Sequence, residues 1–558
     1  MPLTDTASTL APPRARPAPN VLMVYPEFDG NSFWAMKSAM PLMGKRSLMP
    51  PLGLLTVAAL LPDDWRIRLI DNNIDPVADA DIAAADLVMI SGMMPQRASM
   101  LDMIERAHRL GRPIAVGGPD VMSSPELYDD AEYVVTGEGE SVVSTLVEAW
   151  HSGEARARID AEKFTADVTT SPVPRFDLIR ADDYMQMAVQ YSRGCPFTCE
   201  FCDIIELFGR RPRTKTSAQM LAELDRIYAL GHRGSVNFVD DNLIGNKKAV
   251  KAFLPDLIAW QRARKYPFDF YTEASLNLSD DPELMTMMAR AGFMSVFIGI
   301  ESPDPDLLEA MRKKQNMRRD IVESIDKVYA HGIQVIAGFI VGFDGEKEGT
   351  GDTVADLIDS TAIPVSICGL LFALPGTQLS RRLEAEGRLH DLHHSHWVEQ
   401  KMADQCSQGL NFDTDRPRVD VLRDYRTVIA RSYTPENFHR RVRSLIDRMG
   451  FEHIKVDLRR HKHWSHQARM MMRVCWALGV RAPRGKRQFW GTLRHAMKNG
   501  NPHAFEPFFM SLIPYAHLEP FSHEVLRVID ERIANVDAED RRPAPARMPA
   551  PQLEAAAI

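Results

Sequence analysis

At 558 residues the chain is too long for one hydrophobic core and divides, at ordinary domain sizes, into roughly three or four units. Hydrophobic content of 45% with 25% charged residues is the composition of a soluble protein, and no uncharged apolar run reaches the ~18 to 20 residues needed to span a bilayer. A formal net charge of −8 leaves no general case for nucleic-acid binding, and six cysteines, half of them in one cluster, argue for a metal or redox site in a reducing, cytoplasmic compartment and against a disulfide framework.

Residues 1–19 are rich in Pro, Ala and Thr without an apolar h-region and read as a disordered leader, not a secretory signal. From Asn20 to Gly153, "NVLMVYPE", "RIRLIDNN", "DLVMISGMM", "PIAVGGPDV" and "YVVTGEGE" are continuous apolar runs closed by Gly, Asp, Asn or Pro, as strands buried on both faces of a parallel sheet are. Helix-like stretches such as "QRASMLDMIERAHRL" separate them. Five such β/α steps predict a doubly wound (Rossmann-like) sheet that binds ligands beyond the carboxyl ends of its strands. Gly117 and Gly118 allow close backbone approach there, and Gly137 and Gly139 leave room beside the next strand end; each taken alone is also a generic glycine turn.

Residues 154–184 read as a linker, since Pro172 and Pro174 rule out a continuous helix. From 185 to 389 a second series follows: "MAVQYSRGC", "SVNFVDDN", "FDFYTEAS", "SVFIGIES", "QVIAGFIVGF" and "VSICGLLFALPGT". A helix from Ser217 to Leu230 opens with a capping box from Thr216 and Gln219. The six repeats predict a partial (β/α)6 barrel with its site at the carboxyl face. Residues 390–535 read as a mainly helical, basic extension. Between Lys455 and Lys498 the only acidic residue is Asp457, while Arg and Lys lie among Trp464, Trp476, Phe489 and Trp490. This stretch reads either as a membrane surface for a lipid substrate or as a solvated helical face over an aromatic core. The histidines of "HDLHHSHW" and "HKHWSH" read as surface groups, and 536–558 as a low-complexity disordered tail.

Cys195, Cys199 and Cys202 stand in "YSRGCPFTCEFCD" at the end of the barrel's first strand. A structural zinc site normally closes four ligands, and the next candidates, His232 and Cys368, lie far along the chain. Three thiolates suit a [4Fe–4S] cluster with one iron left open to chelate a further ligand. A chance grouping of thiols without a metal is the third reading.

These three cysteines, with Phe201 before the last, resemble the motif of radical S-adenosylmethionine (SAM) enzymes. The resemblance implies a cluster that binds SAM through its open iron and cleaves it to a hydrogen-abstracting 5′-deoxyadenosyl radical. It also implies SAM contacts at strand ends: Asp240 and Asp241 in "FVDDN" for the amino group, Ser275 in "EASLN" and Glu301 in "GIES" for the ribose. "GFIVGF" from Gly338 and "LPGT" around Pro375 resemble the adenine-side segments. As ordinary strand-end turns and caps, these residues need no ligand.

The preceding domain resembles the cobalamin-binding domain of the B12-dependent radical SAM class, through "PPLGLLTVAALLP", "SGMMPQ", "GGPDVMSSPE" and "VVTGEGE" in that order. This implies cobalamin at Gly117, Gly118, Gly137 and Gly139. The Asp-x-His-x-x-Gly motif whose histidine ligates cobalt in many cobalamin proteins is missing, and the first histidine of the chain is His108. The lower cobalt ligand is therefore expected not to be a histidine of this domain. "GLNFDTDRPRVDVLRDYRTVIARSYTPENFHRRV" resembles the C-terminal extension of the subgroup that includes the hopanoid C-2 methylases.

Together these resemblances imply a cobalamin-dependent radical SAM C-methyltransferase acting on an unactivated carbon. They imply a small-molecule or lipid substrate, an electron donor such as flavodoxin or ferredoxin, no nucleic acid, and a peripheral contact with the inner membrane face. Within the family the alternative is a non-methylating cyclase, oxygenating or rearranging enzyme. Outside it the alternative is a metal-stabilised binding protein without turnover.

Overall fold

The computed structural model describes residues 16–28, 32–33, 35–390, 405–451 and 464–536. Two six-stranded sheets, parallel throughout, carry the architecture. The first contains β1 (Asn20–Tyr25), β2 (Arg66–Asp71), β3 (Leu87–Ser91), β4 (Ile114–Gly117), β5 (Tyr133–Thr136) and β6 (Ala157–Asp160), in the order β2-β1-β3-β4-β5-β6. The helix Arg97–Arg109 covers one face, and Leu52–Leu60 and Gly139–Ser152 the other, so each face has its own core. Strand order reverses between β1 and β3, the point at which sheets of this kind bind ligands beyond their carboxyl ends.

Two expectations change here. The linker expected over 154–184 begins as strand β6, which pairs in parallel with β5. Its "ARID" alternates, with only Ile159 buried. An edge strand needs one apolar face, so it lacks the continuous apolar run that marks a central strand. The leader expected through residue 19 is also ordered at its end. Trp150 Nε1 donates to the Pro17 carbonyl at 2.9 Å, and the Arg16 guanidinium lies 4.7 Å from the Trp150 ring centre. The leader through residue 15, the tail from 537, and residues 391–404 and 452–463, with most of the two histidine-rich stretches, lie outside the described residues.

The second sheet runs β7 (Met187–Val189), β10 (Gly234–Phe238), β11 (Phe268–Glu273), β12 (Phe293–Glu301), β13 (Gln334–Val341) and β14 (Ser366–Leu370) in spatial sequence. The expected first strand divides. Its end forms β8 (Ser192–Arg193), which pairs antiparallel with β9 (Arg213–Thr214). Alternation then sorts side chains into two layers. In β11, Phe268, Phe270 and Thr272 are buried, the two phenylalanines in the core under the covering helices, while Asp269, Tyr271 and Glu273 point into the lumen. The expected capping box forms, with Thr216 accepting from the Gln219 N–H and the Gln219 side chain accepting from Thr216.

The C-terminal helices split their apolar faces. Arg418–Ser432 joins the barrel's core, while Pro435–Arg448, Lys486–Lys498 and Phe505–Ala534 build much of a separate core around Phe438, Phe489, Phe508 and Tyr515. The last of these reaches the amino end of the barrel strands, where Gln334 Nε2 donates to Ser511 Oγ at 3.2 Å. Among the described residues no helix is long and apolar enough to cross a membrane.

The junction between barrel and extension is tight at Gly450, whose N–H donates to the Tyr329 carbonyl at 2.9 Å. A Cβ there would overlap the Ala330 carbonyl, which is backbone and cannot rotate away. Gly450→Ala is therefore expected to cost about 1–3 kcal/mol. Denaturant unfolding of the variant checks this, and an unchanged midpoint would count against it.

Candidate active site where the two sheets face

The loop Gly194–Cys202 follows β8 and is braced by the end of β10. Asp240 is buried and accepts from the Tyr191 N–H at 2.9 Å, the Ser192 N–H, and the Ser192 hydroxyl at 2.6 Å. Asp241 accepts from the Gly194 N–H at 3.0 Å. Burial pushes the Asp240 carboxyl up to about 6 and the Asp241 carboxyl up to about 7. Gly194 sits at φ 93°, and a side chain there would press on the carbonyl of Gly209. Both acidic residues thus act on the loop from beneath, and Asp240 has its two oxygens taken by the chain's own donors.

Around the thiols the structure supplies hydrogen-bond donors. Asn242 Nδ2 reaches Cys195 Sγ at 3.8 Å, and Gln315 Nε2 reaches Cys199 Sγ at 3.4 Å. Burial pushes the Cys195 thiol up, opposed by the Phe197 N–H and the Asn242 amide. Burial, then Asp203, pushes Cys202 well up, opposed by the Ile204 N–H. Lys313 is buried beside them. Burial works against its charge, but Glu301 and the sulfurs of Cys199 and Cys202 outweigh it and hold its pKa above the usual lysine value. Among the described residues no group of three or more His, Cys, Asp and Glu side chains has the arrangement to hold a metal ion. The fit of an iron–sulfur cluster rests instead on the donor set: three soft sulfurs on one short loop, N–H groups aimed at them, and one buried cation behind.

The other strand ends converge on the same loop. Asn242 Nδ2 also reaches Ser275 Oγ at 3.1 Å, and Ser275 Oγ donates to Asn277 Oδ1 at 2.6 Å, so Ser275 is linked to Cys195 through one amide. Glu301 is buried, ion-paired with Lys313, and held at φ 67° where β12 slips register against β13 between Gly299 and Glu301. Gly338 faces the Phe297 ring across the lumen wall, and the "LPGT" turn ends in Thr377, which caps the helix Gln378–Ala385 by accepting from the Ser380 N–H. Glu273 stands at the lumen end of β11. Its carboxyl is accessible from the lumen yet crowded by the lumen walls, and this burial, with Asp241, Asp240 and Glu301 nearby, raises its pKa to about 8.

On the first sheet, three successive strand ends carry glycine in places with no room for a Cβ. At Gly92 it would meet Met100 and Gln96, at Gly118 (φ 96°) Ser91, and at Gly137 (φ 128°) Ala161. Gly139 opens the helix Gly139–Ser152 within 3.3 Å of where Val57 and Leu60 would touch a side chain, whereas Gly117 meets only ordinary contacts. The result is a ledge of glycine turns at the carboxyl ends of the strands, drawn close against the protein's own side chains, and the backbone groups of such turns suit the edge of a large flat ligand such as a corrin. The domain's two histidines lie elsewhere. His108 and His151 are in the last turns of helices that run back from the carboxyl edge to the amino edge of the sheet.

Ledge and cysteine loop meet through one buried guanidinium. Arg193, two residues before Cys195, donates to Glu138 Oε2 (2.9 Å), Glu140 Oε2 (2.8 Å) and Glu140 Oε1 (2.9 Å). Arg213 donates to the other Glu138 oxygen at 2.7 Å. Burial alone would raise the Glu140 carboxyl, but Arg193 outweighs it and holds the pKa down at about 2.

A cysteine loop at the carboxyl end of an open parallel barrel, clamped to the carboxyl end of a doubly wound domain, is the layout of a radical SAM enzyme with an appended B12 domain. Family models match in the same order: B12 binding domain over 46–147, Radical SAM superfamily over 189–358, and a domain of unknown function (DUF4070) over 377–531. The chain is 40% identical over 518 residues to an uncharacterized methyltransferase of Synechocystis sp., covering 92% of this chain and 94% of that protein. It is 35% identical over 522 residues to the hopanoid C-2 methylase of Rhodopseudomonas palustris, covering 91% and 94%. Among solved structures, the radical SAM methyltransferase TsrM from Kitasatospora setae, with cobalamin and [4Fe-4S] cluster bound, matches with TM-score 0.57 at 15% identity over 82% of this chain and 99% of that one. The cobalamin-dependent radical enzyme OxsB matches with TM-score 0.54 at 16% identity over 94% and 81%. The two solved structures show the shared fold. The chain belongs to the B12-binding radical SAM family that includes hopanoid C-2 methylase.

Sequence reasoning passed over Arg193, Glu138, Glu140, Asn242, Glu273, Lys313 and Gln315. A signal existed for the first three: charged residues of both signs adjoin the two motifs that had been read only for their cysteines and glycines. Arg193→Gln leaves Glu140 buried without its cation and is expected to cost about 3 kcal/mol. Because Glu140's folded pKa lies below its unfolded value of about 4.3, its stabilisation is complete above ~pH 5 and is lost as pH falls through about 2. Unfolding of the apo-chain against pH checks both, and a Glu140→Gln variant with the same acid limb as the parent would contradict the assignment.

Proposed function

We propose that this chain methylates an unactivated carbon of an apolar lipid substrate, of the hopanoid type. The observation that supports cobalamin working beside the cluster is the clamp of Arg193 on Glu138 and Glu140, which joins the glycine ledge to the cysteine loop. Methyl transfer is favoured over cyclisation or rearrangement by the methyltransferase and the hopanoid C-2 methylase that match over nine-tenths of the chain, and a binding protein without turnover needs neither ledge nor cysteine loop. When bound, the [4Fe–4S] cluster and SAM supply hydrogen-abstracting radical chemistry, and cobalamin supplies methyl-group transfer.

Cys195, Cys199 and Cys202 would hold the cluster, with Asn242 and Gln315 donating to two of the sulfurs. Lys313 offsets the negative charge that three thiolates bring into a buried place. Among the residues proposed to meet SAM, Asp241, Ser275 and Glu301 keep polar atoms beside the loop, while Asp240 serves by fixing the loop itself. Gly117, Gly118, Gly137 and Gly139 would form the cobalamin ledge, and cobalt would take no histidine of this domain as lower ligand. Tyr271, Phe297 and Glu273, whose carboxyl is held protonated near pH 7, line the carboxyl half of the lumen, with Asp269 tied to Ser235 at the amino end, in keeping with an apolar substrate. A flavodoxin or ferredoxin would deliver the electron, and a peripheral contact with a membrane would deliver the substrate.

Anaerobic reconstitution should give about four irons per chain together with cobalamin. With reductant and substrate, SAM should yield 5′-deoxyadenosine and S-adenosylhomocysteine together; deoxyadenosine without S-adenosylhomocysteine would instead support the non-methylating alternative. Comparison of lipids from cells with and without the gene should show loss of a species heavier by one methylene.

Glu273 makes a second, separable prediction. Its carboxyl is raised, so its protonated form stabilises the lumen below its unfolded value of about 4.3, and that contribution is lost as pH rises through about 8. Activity should fall on the same alkaline limb, and Glu273→Gln should flatten it. An unchanged limb in the variant would remove Glu273 from the lumen's charge balance.

A further inference from the structure

Six of the eight large apolar side chains exposed on the described residues lie between 471 and 497: Met471, Met472, Trp476, Val480, Trp490 and Met497. They repeat at helical spacing. Met472, Trp476 and Val480 run down the helix Trp464–Val474 and the π-helical segment Cys475–Arg481 that continues it. Trp490 and Met497 share the outer face of Lys486–Lys498 with Lys486, Arg494 and Lys498, while Phe489, Thr492 and Ala496 face the core. The two segments are fixed together, since Trp490 Nε1 donates to the Gly479 carbonyl at 2.9 Å with its ring still exposed.

The charge on this face has one sign. From 458 to 505 the sequence contains no Asp or Glu. Arg481, Arg484, Lys486, Arg487, Arg494 and Lys498 have no carboxylate partner among the described residues. The carboxylates that the helix Pro435–Arg448 turns toward the pair are already engaged, Glu436 by Gln488 at 2.6 Å and Asp447 by His495 at 2.7 Å. Tryptophan, methionine and valine standing out among arginines and lysines that meet no carboxylate on the described residues is the chemistry that seats in an anionic bilayer: rings and chains enter the interface while cations meet phosphates.

The face also leads toward the lumen. The helix Trp464–Val474 packs on the short helix Met40–Met43, and Arg473 lies against Gly44. The same stretch of chain continues to Met49, whose sulfur accepts from Asn237 Nδ2 at 3.3 Å on β10. Ten residues of backbone, 40–49, thus connect the exposed face with the lumen wall.

We propose that the face formed by Met472, Trp476, Val480, Trp490 and Met497 docks on an anionic lipid surface, from which a lipid substrate passes along residues 40–49 into the lumen. The second half of this statement rests on the lipid substrate proposed above. The test uses the cobalamin- and cluster-loaded full chain, sedimented with vesicles of phosphatidylcholine alone or mixed with phosphatidylglycerol, at ~0.1 M salt. Binding to the anionic vesicles, weakened by added salt and accompanied by a blue shift of tryptophan emission, is expected. The triple variant M472S/W476S/V480S, and separately R484Q/R487Q/R494Q, should each bind about tenfold more weakly or worse, with iron, cobalamin and thermal midpoint unchanged. Equal binding to both vesicles, equal binding by the variants, or sedimentation of the protein as a dimer through these residues would each overturn the proposal. Methylation of a detergent-dispersed lipid is measured alongside. Vesicle binding without methylation would sink the catalytic reading and leave the docking surface, and methylation without vesicle binding would do the reverse.

Discussion

The relation between the two sheets depends on the Arg193 guanidinium, held between Glu138 and Glu140 with Arg213 closing the far side of Glu138. A buried ion network of this kind adds little net stability, because desolvating the charges offsets most of their attraction. Its effect is orientational. Interfaces between domains of one chain ordinarily permit relative motion, but a guanidinium that makes three hydrogen bonds to two carboxylates tolerates little sliding. Glu138 and Glu140 flank Gly139 on one side, and Arg193 precedes Gly194 and Cys195 on the other, so any shift of the ledge would be felt at the cysteines. Asp240 and Asp241 complete the constraint from below.

Much of the fold was legible because its strands are buried on both faces. Continuous apolar runs marked β1, β3, β4 and β5, six strand-helix repeats marked the barrel, and the Thr216–Gln219 box marked a helix start. Strand β6 escaped because an edge strand with one buried residue has no such run. At the site, cysteine spacing alone singled out the loop, since three thiols in so short a stretch have few other uses. Adjacent Asp240 and Asp241 looked equivalent in sequence. Only the pairing of Phe238 with Val189 shows that the first carboxylate turns back to Tyr191 and Ser192 and the second to Gly194. Lys313 and Gln315 could not be found from pattern, because they arrive more than a hundred residues after the cysteines in an irregular segment.

The surroundings of the three sulfurs divide into two kinds of support. Asn242 and Gln315 offer neutral dipoles, which strengthen an anionic sulfur without adding net charge, whereas Lys313 offers a full charge that is itself balanced by Glu301. The polar groups come from the turn after β10, from β12 and from the segment that follows β12, so the sulfur environment is assembled by several parts of the barrel. That separates it from the B12 domain, whose part in the site is a ledge of glycine turns and two glutamates.

Glu301 shows what this assembly asks of the backbone. A non-glycine residue at φ 67° is held in a conformation that costs of order 1–3 kcal/mol, and the register slip of β12 is what turns its carboxylate back onto Lys313. Glycine or asparagine would relieve that strain at once. Either change would also leave the Lys313 ammonium buried without its carboxylate, a loss of about 3 kcal/mol or more that exceeds the strain relieved. Robustness and chemistry therefore favour the same strained residue, and a stability screen of this scaffold would keep residue 301 of its own accord.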